Sequence, residues 1–225
     1  MEEIKTGILG LGAVSTLHYL KRLNEEYSKK KGGYSTFPSI LVNADFNKIN
    51  PYLPNQFKKL EDALMPYLNY FEEAGVLNLL MPNITIHETL DKILEHSVFS
   101  FSIVHPLQLM AAQLLRHSVK EIYLLGTMYT MESMYIADYF NKAGISCLSI
   151  NSEIKLMIDK LRTKVYAGEA IDTIETEKYM TACFGSKKKL VIACTELSVL
   201  FSLFKSLSFY DMAEEQINFL IYTKQ

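Results

Sequence analysis

Residues 188–197 read KKLVIACTEL, and this stretch decides the fold. Its apolar run at 190–193 has no polar interruption, which is typical of a strand buried on both faces of a parallel sheet. Cys194, Thr195 and Glu196 follow where that strand stops, and a helix is predicted over 197–205. Ligands of open α/β sheets bind at the carboxyl ends of strands, so these three side chains are candidates for a functional site.

Two interpretations of Cys194 stay open from its position. The N-terminus of a helix offers unpaired N–H groups and a partial positive charge, and both lower the pKa of a thiol. The first interpretation is therefore a reactive thiolate. The second is a small apolar side chain that fills the space beneath a turn, since free cysteine is commonly buried in that role.

Strands alternate with helices along the chain, which is the pattern of parallel sheets covered by helices on both faces. The predicted strands fall into two sets of about four, at 4–9, 39–42, 76–81, 98–104, 121–125, 145–150 and 190–193. We therefore expect an α/β protein with two similar domains that face one cleft. The expected division assigns residues 1–98 and 208–225 to the first domain and residues 99–207 to the second.

Composition narrows the class of protein. The 225 residues are 49% hydrophobic and 21% charged, with a formal net charge of −2 and a pI near 6.2. This balance argues against a nucleic-acid partner, and no apolar run approaches the roughly 20 residues of a membrane span. The cysteines at 147, 183 and 194 give neither a disulfide framework nor a metal-ligand set. We expect a protein of the reducing cytoplasm.

A turn of small residues at 10–16 follows the first predicted strand and ends in Ser15 and Thr16. Its N–H groups could hold a phosphate or a carboxylate. As a dinucleotide fingerprint the turn is incomplete, because Ser15 stands where the third glycine would be. The sequence therefore favours a site for a small anion without a nucleotide cofactor.

Polar side chains follow other predicted strands as well. Asp45 comes after the second strand, where a cap for the next turn is an alternative to a binding role. His87 comes after the third strand and is either structural or catalytic. Thr127 and Thr130 belong to a hydroxyl-rich loop predicted at 126–131.

Two segments resemble a known family. The segment LLGTMYTME at 124–132 is close to the LLGTxxTM segment of the aspartate/glutamate racemases, and ACTEL at 193–197 is similar to the GCTEL around a catalytic cysteine of that family. GILG at 7–10 matches the family's opening glycine motif in part. The resemblance implies a cofactor-independent isomerase that uses no PLP, with a thiol from each of two α/β domains beside the substrate's α-carbon. It also implies a small dicarboxylic amino acid as substrate, and a homodimer.

The third strand departs from the family pattern. The family has CNTxH there, whereas this chain reads NITIH at 83–87, so Asn83 stands where the first catalytic thiol is usual. By resemblance, Cys194, Asn83 and His87 occupy the catalytic positions. The implied substrate-binding residues are Ser15, Thr16, Asp45, Thr85, Thr127, Thr130, Lys164 from a lysine-bearing region at 155–164, Thr195 and Glu196.

A carboxamide neither gives up nor takes up a proton near neutral pH, so it cannot replace a catalytic thiol. Three functions therefore remain open. The first is an aspartate or glutamate racemase in which His87 or a water replaces the lost thiol. The second is one-base chemistry, such as the decarboxylation of a malonate-like substrate, in which Cys194 alone protonates a carbanion. The third is a non-catalytic protein that binds dicarboxylates.

Overall fold

Parallel strands and covering helices organise the chain in a computed structural model, which describes residues 4–185 and 188–223. A first sheet has the strand order β2-β1-β3-β4, and a second sheet has the order β6-β5-β7-β8. All the observed strand pairs are parallel. The predicted α/β fold with two similar sheets is confirmed.

The elements of the first sheet and its helices come first in the chain. They are β1 (Thr6–Gly10), α1 (Ala13–Lys31), β2 (Ile40–Asn43), two short 3-10 helices (Phe46–Lys48 and Asn50–Tyr52), α2 (Phe57–Glu73), β3 (Asn78–Leu80), α3 (His87–Leu94) and β4 (Ser102–Ile103).

The second sheet and its helices follow. They are α4 (Pro106–Arg116), β5 (Glu121–Leu125), α5 (Met128–Glu132), α6 (Met134–Lys142), β6 (Ser146–Cys147), α7 (Ser152–Ala167), α8 (Thr173–Phe184), β7 (Leu190–Ile192), α9 (Thr195–Phe201), β8 (Phe209–Asp211) and α10 (Met212–Tyr222).

Three of the inner strands, β1, β3 and β7, are buried along their whole length, because helices cover both faces of each sheet. The outer strand β2 instead alternates between half-buried and exposed residues. An apolar core packs around Phe71 and Leu79 in the first unit, and another packs around Phe201 and Ile192 in the second.

The predicted domain boundaries are wrong at two strands. The chain divides into one unit that runs to His105 and resumes at Gln216, and a second unit of Pro106–Glu215. Strand β4 pairs with β3 and belongs to the first sheet, although 99–207 was assigned to the second domain. Strand β8 pairs with β7 and belongs to the second sheet, although 208–225 was assigned to the first. Pairing with a distant strand decides both assignments.

Candidate functional site

Cys194 lies at the carboxyl end of β7 and at the N-cap position of α9, as the sequence predicts. Its side chain is buried, with 7% of the residue exposed, and it borders the apolar cluster of the second unit. Thr195 follows in the first turn of α9 and is also buried. The neighbouring Glu196 is half-buried and reaches solvent.

The thiol of Cys194 is paired with a carboxylate. Its Sγ donates a hydrogen bond to Oε2 of Glu196 at 3.0 Å. Burial raises the pKa of the Cys194 thiol well above its usual value, and the negative charge of Glu196 raises it further. The N–H of Leu197 lowers this pKa, as expected for a helix N-terminus, but its effect is the smaller one. Of the two interpretations, burial and the Glu196 charge favour the protonated thiol over the thiolate.

The segment at 126–131 approaches Cys194 from the neighbouring strand β5. The N–H of Ala193 donates to the carbonyl of Leu125 at 2.8 Å. A Cβ added to Gly126 would lie 3.2 Å from the carbonyl oxygen of Ala193 and 2.8 Å from Cγ2 of Thr130, so only glycine fits this close approach without a shift. Two of the sequence segments that carry the family resemblance are thus in contact.

Most of the predicted loop at 126–131 is helical, with Thr130 inside α5 and Thr127 at its N-terminus. Thr127 is the N-cap of α5, and its Oγ1 accepts the N–H of Thr130 at 3.0 Å. The two Oγ1 atoms are 2.9 Å apart, so one hydroxyl donates to the other. The hydroxyl that accepts keeps its own proton for another acceptor, such as a ligand carboxylate.

Helix α7 supplies charged groups next to the N-terminus of α5. Asp159 accepts the N–H of Met128 at 3.3 Å and the Nε–H of Arg162 at 3.0 Å. The charge of Arg162 lowers the pKa of Cys194, so this guanidinium lies within electrostatic reach of the thiol. The predicted Lys164 lies on the same helix and is half-buried.

The sequence prediction sought a lysine at 155–164 and missed Arg162. Lys155 instead pairs with Glu132 at 3.0 Å. The spacing of Asp159 and Arg162, one helical turn apart, was the available signal.

A buried carboxylate outside the predicted set of site residues supports the backbone of Cys194. Oδ1 of Asp211, at the end of β8, accepts the hydroxyl of Ser198 at 2.9 Å and the N–H of Ala213 at 2.8 Å. The Ser198 hydroxyl also lies 3.3 Å from the carbonyl oxygen of Cys194. Burial raises the pKa of Asp211 to about 7. The sequence YDM at 210–212, which is similar to the late FDT segment of the aspartate/glutamate racemases, was the available signal for this group.

In the first unit, Ser15 and Thr16 lie at the start of α1, and both are buried. The hydroxyl of Ser15 donates to the carbonyl of Leu11 at 2.8 Å, and that of Thr16 donates to the carbonyl of Gly12 at 2.7 Å. Gly12 has a φ of 91°, which the chain needs to enter the helix. Because both hydroxyl protons serve the helix backbone, a ligand here would meet N–H groups and hydroxyl lone pairs.

Asp45 is a capping residue in this structure. Its Oδ1 accepts the N–H of Asn47 at 3.2 Å at the start of a 3-10 helix, and the side chain is exposed. Thr85 lies half-buried in the turn between β3 and α3. Both residues follow the carboxyl ends of strands, as do Ser15 and Asn83, so the first unit presents its predicted residues along one edge of its sheet.

Asn83 stabilises the turn that follows β3. Its Oδ1 accepts the N–H of Ile86 at 3.1 Å, and its carbonyl oxygen lies 2.9 Å from Nδ1 of His87. The side chain is half-buried. Its NH₂ group is a hydrogen-bond donor.

His87 is fully buried, and its Nδ1 donates to the carbonyl oxygens of Asn83 and Ile84. Burial lowers the pKa of His87 to about 3, and the ring of His105, 5.0 Å away, lowers it as well. The side chain is a neutral imidazole whose Nε2 has no hydrogen-bond partner within the described residues. This environment favours the structural interpretation of His87, which holds the Asn83 turn in place.

Similarity to solved structures supports the fold. An aspartate racemase homologue from Pyrococcus horikoshii matches with a TM-score of 0.77 and 23% identity, covering 97% of each chain. The Picrophilus torridus aspartate racemase matches at 0.74 and 20%, covering 97% of this chain and 93% of its own. A glutamate racemase from Bacillus anthracis matches at 0.60 and 15%, covering 96% and 80%. At these identities the chain shares the fold of these racemases.

No protein-family model matches the chain. In the described ranges, 4–185 and 188–223, none of the helices has the length and apolar character needed to cross a lipid bilayer.

Proposed function

We propose that this protein is a racemase-like isomerase that moves a proton at the α-carbon of aspartate or glutamate without PLP. The observation that carries the proposal is the Cys194 thiol, hydrogen-bonded to Glu196 at a strand end of a racemase-like fold. A cytoplasmic homodimer is part of the same proposal.

Cys194 acts as the proton carrier, and Glu196 controls its ionisation. In the unliganded protein the thiol is protonated and donates to the Glu196 carboxylate. The α-ammonium group of a bound amino acid, together with Arg162, favours the thiolate, because nearby positive charge lowers a thiol pKa. The thiol proton passes to the Glu196 carboxylate, and the thiolate then takes the α-proton as the C–H bond breaks, leaving the electron pair on the α-carbon as a carbanion. A water in place of the second thiol returns a proton to the other face of this carbanion.

Donors to the substrate carboxylate stabilise this carbanion, because its charge spreads onto the carboxylate oxygens. In the second unit the candidates are the hydroxyls of Thr127 and Thr130, and Thr195 shapes the surroundings of the thiol. Lys164 or Arg162 holds the distal carboxylate, and Arg162 is the better candidate because its charge acts on the Cys194 pKa. In the first unit, the N–H groups near Ser15 and Thr16, with Asp45, Asn83 and Thr85, stay predicted substrate-binding groups on the family resemblance alone.

One-base chemistry is the second candidate function, and a specific observation favours it. The neutral thiol of Cys194 is ready to give its proton to a carbanion, and this step needs no second base. Asn83 offers an amide at the position that the resemblance assigns to the other thiol, and His87 is buried and neutral. A carbanion formed by loss of CO₂ from a malonate-like acid would be protonated in this way.

Incubation of the protein with L-aspartate, D-aspartate and L-glutamate in D₂O separates the candidates. Deuterium incorporation at the α-carbon, measured by NMR, reports proton transfer, and chiral chromatography reports inversion. Exchange with inversion supports the racemase, whereas exchange without inversion supports a single base. If no exchange occurs but aspartate raises the thermal midpoint in a saturable way, the protein is a dicarboxylate-binding homologue and the proposal fails.

A further inference from the structure

A pocket lies in the first unit, away from the predicted site residues of that unit. Its volume is about 490 Å³, and Lys5, Lys30, Lys31, Tyr27, Phe37 and Ile221 contribute to its walls. Lys5 immediately precedes β1, so the pocket opens at the amino end of the strand. The loop at 10–16 follows the carboxyl end of the same five-residue strand, about 16 Å away at 3.3 Å per residue.

The charged residues that line the pocket are all positive. Three lysines line it, Lys5, Lys30 and Lys31, and no acidic residue lines it within the described part of the chain. The nearby carboxylate of Glu26 is occupied by Lys29 and by the hydroxyl of Tyr222. The pocket therefore attracts anions.

Apolar side chains line the pocket next to these lysines. The rings of Tyr27 and Phe37 meet edge to face, with centroids 5.6 Å apart, and Pro38 continues the wall. Lys31 extends over the ring of Tyr27 at 6.0 Å, and Lys30 donates to the carbonyl of Ile221. The walls combine these apolar side chains with charged and polar groups, and a volume of about 490 Å³ lies in the range of small-molecule sites.

We propose that this pocket binds an organic anion in which a flat ring carries a phosphate or carboxylate group. The aromatic wall takes the ring, and Lys5, Lys30 and Lys31 take the anionic group. The site is independent of the proposed proton transfer, because its residues lie at the opposite edge of the first sheet.

Lys29 is the matched control. It lies in the same last helical turn as Lys30 and Lys31, where any lysine favours the helix C-terminus. It pairs with Glu26 at 2.7 Å and does not line the pocket. If loss of positive charge from this helix end were enough to weaken binding, Lys29→Met would weaken it as well.

Isothermal titration calorimetry of the full chain tests the proposal with adenosine monophosphate and phenyl phosphate as ring-bearing anions, and with inorganic phosphate and adenosine as the separate parts. We expect at least one ring-bearing anion to bind about tenfold more tightly than phosphate or adenosine. The double variant Lys30→Met/Lys31→Met should weaken it by about tenfold or more, and Lys29→Met should leave it unchanged. Phe37→Ala should weaken the ring-bearing anions and leave phosphate unaffected.

Saturating L-aspartate should not change this affinity, and a circular dichroism spectrum of each variant verifies its fold. The proposal is overturned if neither ring-bearing anion binds more tightly than phosphate, or if Lys29→Met weakens binding as much as the double variant. Competition by aspartate would place the anion at the candidate functional site and would also overturn it.

Discussion

Replacement of Glu196 by glutamine should lower the pKa of the Cys194 thiol. Glutamine keeps the shape of the side chain but removes the charge that lies 3.0 Å from Sγ. At that distance, two unit charges interact by about 1.4 kcal/mol in water and by about 5.5 kcal/mol at an effective dielectric constant of about 20. Because Glu196 is half-exposed, solvent screens this charge, and we expect its removal to lower the pKa of Cys194 by an amount nearer the smaller of these two energies.

Ultraviolet absorbance of the thiolate measures this change during a pH titration. The titration uses a Cys147→Ser/Cys183→Ser background, so that only Cys194 contributes a thiol. Glu132→Gln is a suitable control, since this carboxylate pairs with Lys155 and not with the thiol. An unchanged or raised midpoint in Glu196→Gln would show that the carboxylate does not suppress ionisation of Cys194, and the proposed control of the thiol would be wrong.

Three further predictions concern the framework around the candidate site. Asn83→Cys should raise the rate of aspartate racemisation relative to Asn83→Ser, because it supplies the second thiol of the family pattern; equal rates in a chiral assay would contradict the proposed role of this position. Gly126→Ala should destabilise the protein by about 1–3 kcal/mol in urea unfolding, because the new Cβ would lie 2.8 Å from Thr130; no loss of stability would contradict the close approach. Asp211 has a folded pKa of about 7, above its ordinary value of 3.8, so it binds more protons in the folded state and stability should fall as pH rises between these values. The fall is at most ~4 kcal/mol. Asp211→Asn should flatten this pH dependence in urea titrations, whereas an unchanged slope would assign it to other groups.

The inner strands and long helices of this fold can be predicted from local pattern. The run at 190–193 is apolar throughout because helices cover both of its faces, and the amphipathic pattern at 57–73 is typical of a helix, which is α2 in the structure. Strand β4 lies within the strand predicted at 98–104, whereas β8 contains only three residues and its local pattern does not distinguish it from a loop. Their sheet membership depends on pairing with residues far along the chain, which local pattern does not contain.

The position of the candidate site can be predicted from the sequence, but the pKa shift of its thiol cannot. The place of Cys194 follows from the strand–helix pattern, and its neighbours Thr127 and Thr130 follow from the family resemblance. The direction of the Cys194 pKa shift does not, because burial and the Glu196 carboxylate outweigh the helix N-terminus. Arg162 belongs to a helix with several other cations, and only the three-dimensional structure shows which charge acts on the thiol.

The most direct test of the proposed function compares deuterium exchange at the α-carbon of aspartate in two single variants. Cys194→Ser removes the proposed proton carrier, and Cys183→Ser removes another free thiol of the same unit. We expect exchange in D₂O to fall to the uncatalysed rate in Cys194→Ser and to continue at the wild-type rate in Cys183→Ser. Wild-type exchange in Cys194→Ser would contradict the proposal that this thiol moves the proton.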